Sequence, residues 1–322
     1  MQLSELKIGN LIAKIPIVQG GMAVRVSTAP LAAAVAGEGG IGLIGGSGMD
    51  VEELKNEIRR ARELTSGIIG VNIMVAVRNF KDLVKASLEE KIDLIVAGAG
   101  FSRDLLSLGR EKEVEVVPIV SSLKLARISE KLGASAVVVE GKEAGGHLGT
   151  NRSVKSLVEK ITDSVSIPVI AAGGIVFGKD IAEMLTLGAG GVQLGSRFVT
   201  SEECEVDAEF KNKYIDASED DSVLIESPVG LPGRALKNIF TERLSGSDGE
   251  KVNCNYLCLK QCSRRFCIMK ALKQAHDGNM EKGLVFAGER AHLINKILPV
   301  KNIISDLVRE AKNYLPGGGK DD

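Results

Sequence analysis

"IPVIAAGGIVFGKDIAEMLTLGAGGVQLGSRF", residues 167–198, holds two strand-like runs of one kind. Each is a short apolar run that ends in glycine: Ile167 to Gly174, then Gly191 to Gly195. Between them, residues 179–189 carry helical apolar spacing and close on Gly188. Strand, glycine-rich end and helix make a βα unit. Strands this apolar on both faces belong in a parallel sheet covered by helices.

The same pattern recurs along the upstream chain. "IPIVQGG" (15–21), "GIGLIGG" (40–46), "IIGVNIM" (68–74), "DLIVAGAG" (93–100), "EVVPIVSS" (115–122) and "AVVVEGKEAGG" (136–146) bring the strand candidates to eight. The run at 115–122 ends in Ser121 and Ser122 in place of glycine, and the third departs from the rule and ends in Asn72, Ile73 and Met74. Helical patterns fill the gaps. Residues 50–65 have Asp50 as N-cap and Leu54, Ile58, Ala61 and Leu64 on one face. Residues 122–134 close on Gly133, and residues 153–165 open on Ser153.

Eight such units predict a (β/α)8 TIM barrel, an α/β fold of about 250 residues. A doubly wound sheet is the rival, but it has about five or six strands and carries its nucleotide signature after the first. A G-x-G-x-x-G match does occur, at Gly37, Gly39 and Gly42. It follows an Ala-rich helical run and opens a strand, the reverse of the dinucleotide motif, so it reads as an αβ turn.

After residue 200 the pattern changes. Residues 201–250 are polar and irregular, with "PVGLPGR" (228–234) as a rigid turn segment. Residues 253–275 carry clustered cysteines and read as helical, and residues 302–315 form a last amphipathic helix. The expected organisation is a barrel core over 1–200, an inserted lid over 201–285, C-terminal helices completing the barrel over 286–315, and a disordered tail over 316–322.

Composition removes several function classes. The net charge of −1 leaves no nucleic-acid footprint, and 3% aromatic content without Trp leaves no stacking platform for single strands. No run approaches the roughly 18 apolar residues of a membrane span. The N-terminal "MQLSELKIGN" has no apolar signal core, so the chain reads as cytoplasmic. The expected partner is a small-molecule substrate, with no nucleic acid and no membrane; a homodimer is left open.

In a barrel, sites form at the C-terminal ends of the strands, and the loops after strands 7 and 8 take phosphate. Here those loops are "AAGGI" (171–175) and "LGSRF" (194–198). Gly173 and Gly174 let backbone N–H groups approach an anion, and Ser196 adds a hydroxyl. His147 sits after strand 6 at the same mouth, behind Gly145 and Gly146. It is one of only three histidines, and imidazole exchanges protons near neutrality. Nothing resembles a catalytic triad, and Glu140 and Glu143 alone make no ligand set.

Five motifs in order, "PIVQGGM" (16–22), "GVNIM" (70–74), "EAGGHLG" (143–149), "AAGGI" and "GVQLGSRF" (191–198), resemble the family of nitronate monooxygenases (2-nitropropane dioxygenases) and flavin-type enoyl-acyl-carrier-protein reductases. The resemblance covers about residues 10 to 310. It implies an FMN-binding barrel with a small lid. FMN would lie against Gly21, Met22, Ala23, Asn72, Ser121 and Gly145, and its phosphate on Gly173, Gly174, Gly195 and Ser196. His147 would be the catalytic acid/base, with Gln19 and Met22 bordering the isoalloxazine.

The resemblance implies three reactions on one set of residues: nitronate oxidation with O2, NAD(P)H-dependent enoyl-thioester reduction, and quinone reduction with NAD(P)H. A flavin-binding sensor or structural subunit is the non-enzymatic alternative. The segment "CNYLCLKQCSRRFC" (254–267) departs from the acyl-reductase pattern and resembles bacterial nitronate monooxygenases, which favours nitronate oxidation.

That segment also poses a metal question. On a continuous helix Cys254, Cys258 and Cys262 drift by only about 80°, whereas Cys267 lies about 220° from Cys254. Four-thiol ligation of iron–sulfur or zinc therefore requires a turn between Cys262 and Cys267, with Lys260, Arg264 and Arg265 offsetting the charge. Without a metal, the expectation is an unbroken helix of packing or redox thiols. The remaining cysteine, Cys204, reads as an ordinary residue.

Overall fold

The computed structural model describes residues 3–246, 252–254 and 256–315. Eight parallel strands close into a barrel: β1 (Ile17–Gln19), β2 (Ile41–Gly45), β3 (Ile68–Met74), β4 (Leu94–Gly98), β5 (Glu115–Val120), β6 (Val137–Glu140), β7 (Val169–Ala172) and β8 (Gly191–Leu194). Each pairs with the next in sequence, and β8 closes on β1 with Leu194 opposite Gln19. The fold is the α/β TIM barrel that the repeated unit predicts.

Helices α1 (Ala29–Gly37), α2 (Val51–Leu64), α3 (Phe80–Glu89), α4 (Arg103–Lys112), α5 (Leu123–Lys131), α6 (Val154–Thr162) and α7 (Gly178–Thr186) follow the first seven strands. Their starts are the predicted ones: Asp50 accepts the Glu53 N–H at 2.8 Å, and Ser153 accepts the Ser156 N–H at 3.2 Å. Gly37, Gly39 and Gly42 fall on the turn from α1 into β2. After β8 come the short α8 (Ser196–Val199), then α9 (Ala208–Ile215), α10 (Ile239–Gly246), α11 (Ile268–His276) and α12 (Val300–Tyr314), the last packed against α7 and α1.

The barrel interior is an apolar cluster of alternating strand residues, among them Val18, Leu43, Val96, Val117, Val138 and Ile170. A hairpin that the sequence reading did not anticipate, Leu6–Ile8 with Leu11–Ala13, joins this cluster through Leu6, Ile8 and Ala13. Its Leu6 side chain lies against Gly191, at the N-terminal end of β8. Fully burying a side chain such as Leu6 is worth about 1.5–3 kcal/mol, so the hairpin is a stabilising floor plug.

Two expectations need correction. The described residues of 201–250 are not irregular, because Ser222–Glu226, Pro232–Leu236 and the short strand Gly146–His147 form an antiparallel three-stranded sheet. The cysteine segment is not helical before residue 268. Leu257 and Arg264 take left-handed backbone, with φ of 46° and 59°, and Cys267 is the N-cap of α11. Residues 258–260 instead pair antiparallel with the loop after β3. No helix among the described residues is long and apolar enough to cross a membrane. The expected tail, 316–322, lies outside the described residues.

Candidate functional site

One cavity of about 670 Å³ opens over the C-terminal ends of the strands. Gly21, Met22, Ala23, Asn72, Gly145, His147, Gly173, Gly174, Gly195 and Ser196 all line it. These residues span 175 positions of sequence, and barrel closure alone brings them together. Two predicted residues stand apart. Ser121 is not in the wall, and its hydroxyl donates to the Gly149 carbonyl at 3.1 Å. Gln19 is fully buried beneath the wall, its amide spent on the Ser27 hydroxyl and the Leu43 N–H, so its role is packing.

Ser27 shapes the first wall. Its hydroxyl accepts the Met22 N–H at 2.9 Å and folds residues 20–27 back on themselves. Within that loop Val24 and Arg25 hold left-handed backbone at φ of 55° and 63°, a conformation that costs about 1–3 kcal/mol per residue. A strained pair at a cavity wall is backbone shape held in place by surrounding contacts, here the Arg25–Glu53 ion pair at 2.5 Å.

The far wall is the β6 loop against the strap at 287–289. A Cβ on Gly145 would stand 2.5 Å from the Ala287 carbonyl carbon, so only glycine permits this approach. The strap is tied in turn by Gly288 N–H to Ser196 Oγ at 2.9 Å and by Glu289 N–H to the Glu143 carbonyl at 3.0 Å. Gly173 and Gly174 take φ of 112° and 68°, which presents backbone rather than side chain to the cavity. Arg290 donates to the Gly174 carbonyl at 2.6 Å and pairs with Asp180, bracing that loop. Glu143, in the motif beside His147, is structural: its carboxylate accepts the Val154 N–H that starts α6.

His147 is held by the lid sheet. It pairs with Gly233 on the strand Pro232–Leu236, its Nε2 lies 2.8 Å from the Ser227 hydroxyl, and the Phe286 ring meets it edge-on at 5.2 Å. Burial pulls its pKa down from 6.5 to about 4, so the imidazole is neutral at pH 7. Buried Arg234 fastens the sheet to the barrel through the Lys142 carbonyl at 3.0 Å and braces it within through Ser222 Oγ at 2.9 Å.

The lid closes the mouth with apolar side chains. Leu259 bridges to Val77, the Arg78 N–H donates to the Cys258 carbonyl, and the Lys260 N–H to the Ala76 carbonyl, each at 2.9 Å. Leu257, Leu259, Ile268, Met269 and Leu272 face the cavity with Cys258. All four clustered thiols are free. Among the described residues no three His, Cys, Asp or Glu side chains converge to hold a metal ion.

The cavity fits a flavin mononucleotide. Asn72 Oδ1 and Gln193 Oε1 are buried acceptors without a partner, the kind of group that a bound ligand's N–H satisfies. Space beside Gly195 is open except for the Met22 sulfur at 3.7 Å. Glycine backbone with Ser196 suits a phosphate. The sequence reading missed Gln193, Glu140, Ser227 and Phe286. Ser227 and Phe286 lie 80 or more positions from His147, and no local pattern connects them.

The family model for nitronate monooxygenase matches residues 4–94 and 76–310. A probable nitronate monooxygenase of Staphylococcus aureus is 32% identical, with 93% of this chain and 95% of the relative covered. A 5-hydroxy-7a-methyl-1-oxo-octahydro-1H-indene-4-carboxyl-CoA dehydrogenase of Mycobacterium tuberculosis is 28% identical over 93% of this chain and 94% of its own. The structure of FabK from Thermotoga maritima superposes with a TM-score of 0.85 at 38% identity, covering 92% of this chain and 93% of that one.

Proposed function

Because this chain belongs to the nitronate monooxygenase family of flavin oxidoreductases, we propose that it reduces the C=C bond of an enoyl thioester with electrons from NAD(P)H. The observation that carries the substrate class is the apolar lid wall from Leu257 to Leu272 over a cavity of about 670 Å³. Pockets that bury a drug-sized ligand run from about 300 to 1,000 Å³. A small nitronate beside FMN would leave much of that apolar wall bare, whereas an acyl chain covers it. The CoA-thioester relative supports the same class.

When bound, FMN supplies the hydride acceptor and donor. Asn72 and Gln193 would accept from its ring N–H groups, and Gly173, Gly174, Gly195 and Ser196 would hold its phosphate. His147 is the proposed catalytic residue. Neutral, and oriented by Ser227, it would donate a ring N–H hydrogen bond to the substrate during hydride transfer while keeping that proton. The lid side chains exclude water around that transfer.

Nitronate oxidation stands as the second reading, on the Staphylococcus relative. An imidazole this hard to protonate is a weak base, which suits an already anionic nitronate better than a neutral nitroalkane.

Anaerobic mixing separates the two. The expected result is that NADH or NADPH bleaches the flavin and crotonyl-CoA restores the colour. Bleaching by propyl-2-nitronate, with no response to either nicotinamide, would replace the thioester reading with the nitronate one. A purified protein that carries flavin but turns over neither substrate would leave the sensor or subunit reading.

A further inference from the structure

The floor of the cavity contains a carboxyl group that the reaction as described does not use. Glu140 ends β6, Ala172 ends β7 and Gln193 lies in β8, and the three are aligned across neighbouring strands: Glu140 opposite Ala172, Ala172 opposite Gln193. All three line the cavity. Ala172 is the residue between the two in the row, which separates them by two strand spacings of about 4.8 Å each. Gln193 Oε1 has no hydrogen-bond partner, and neither has Asn72 Oδ1 in the same wall. An ionised Glu140 would add more acceptor oxygens to a row whose Gln193 Oε1 already finds no donor within the protein, while a protonated one supplies an O–H.

We propose that Glu140 stands in the cavity floor as a neutral carboxylic acid, and that loss of its proton lowers the reduction potential of the flavin bound over it. This rests on the FMN reading of the cavity. Two-electron reduction puts negative charge into the cavity, and a carboxylate in the same low-dielectric floor opposes it, whereas the neutral acid does not. The carboxyl is the only proton source invoked, and its O–H bond breaks to bulk base as the pH rises. The charged residues Arg25, Asp50, Glu53, Arg78 and Arg290 share the cavity wall, but none of them shifts the Glu140 carboxyl. Ile119 of β5 and Ala172 of β7 are apolar, His147 is neutral, and desolvation alone moves the carboxyl, up from 4.5 to about 8.

The test is a dye-coupled reductive titration of the FMN-loaded protein from pH 6 to pH 10, with the oxidised flavin's absorbance recorded alongside. Wild type should show a break in midpoint potential against pH near 8, with a spectral inflection at the same pH. Glu140→Gln, which keeps the neutral shape, should show neither and should match wild type at pH 6. A break that survives in Glu140→Gln, or a wild-type line without one, overturns the proposal. If Glu140→Gln does not bind FMN, wild type labelled with ¹³C-glutamate decides: at pH 7 its infrared spectrum must contain a protonated-carboxyl band that disappears by pH 10, and its absence overturns the proposal. Wild type that carries no FMN at all overturns the cofactor reading instead, which separates the two failures.

Discussion

Acid should unfold this protein partly through His147. Its ring is neutral in the fold because burial holds its pKa near 4, against 6.5 when the chain is open. Between those values the unfolded chain binds the extra proton, so stability rises with pH there and is lost as pH falls from 6.5 toward 4. At about 1.36 kcal/mol per pH unit, the gap is worth about 3 kcal/mol, fully present as a loss below pH 4. Carboxylates titrate over part of the same range, so the measurement is a difference. Urea unfolding of the FMN-free protein, wild type against His147→Gln, is followed at half-unit steps from pH 7.5 to 4. The fall in unfolding free energy should be smaller in His147→Gln by about 2–3 kcal/mol, with most of the divergence below pH 6.5. Parallel curves would show that His147 protonates as readily folded as unfolded, and would refute both the buried neutral imidazole and the catalytic role built on it. Turnover carries the same signature, because an acid limb belonging to His147 should lie near 4 and not near 6.5.

Gly145→Ala drives a methyl into the backbone at Ala287 and Gly288, an overpacking cost of about 1–3 kcal/mol. It should weaken FMN affinity by about tenfold or more in flavin-fluorescence titration, because the strap it displaces holds Ser196. Unchanged affinity would mean the strap does not shape the cofactor wall. Iodoacetamide at pH 8 should alkylate exposed Cys262 well before Cys204, which is buried and whose thiol burial pushes up to about 11. Mass spectrometry that finds Cys204 modified first in the native protein would contradict its place in the core.

The barrel was legible because its signal is local and repeated. Each strand announces itself by a buried apolar run, six of the eight with a glycine-rich end, and eight such runs leave little choice of architecture. The loops expected to take phosphate were located by fold position alone, and both line the cavity. The lid was misread because its cues are tertiary. Polar residues 201–250 look irregular in isolation, yet Ser222–Glu226 and Pro232–Leu236 become strands by pairing with each other and with His147's short strand. The cysteine segment has helical spacing, but its backbone hydrogen bonds go to Ala76 and Arg78 of the loop after β3. Pairing to a distant loop overrides a weak local preference.

The same division runs through the site. His147 could be picked out because glycines surround a rare residue type at a strand end. What makes it usable could not. Its partner Ser227 comes from the lid, and its edge-on neighbour Phe286 from the strap. Glu140 was passed over for a related reason, since in sequence it merely ends a valine run. Its meaning comes from register: only when β6, β7 and β8 are aligned does it share a row with Ala172 and an unpartnered Gln193. A carboxyl at a strand end is ordinary. A carboxyl beside an unpartnered acceptor, with desolvation as the force on it, favours its protonated form there. The floor's chemistry is therefore a property of strand alignment, and substituting Ala172 by a larger residue should disturb Glu140 and Gln193 together.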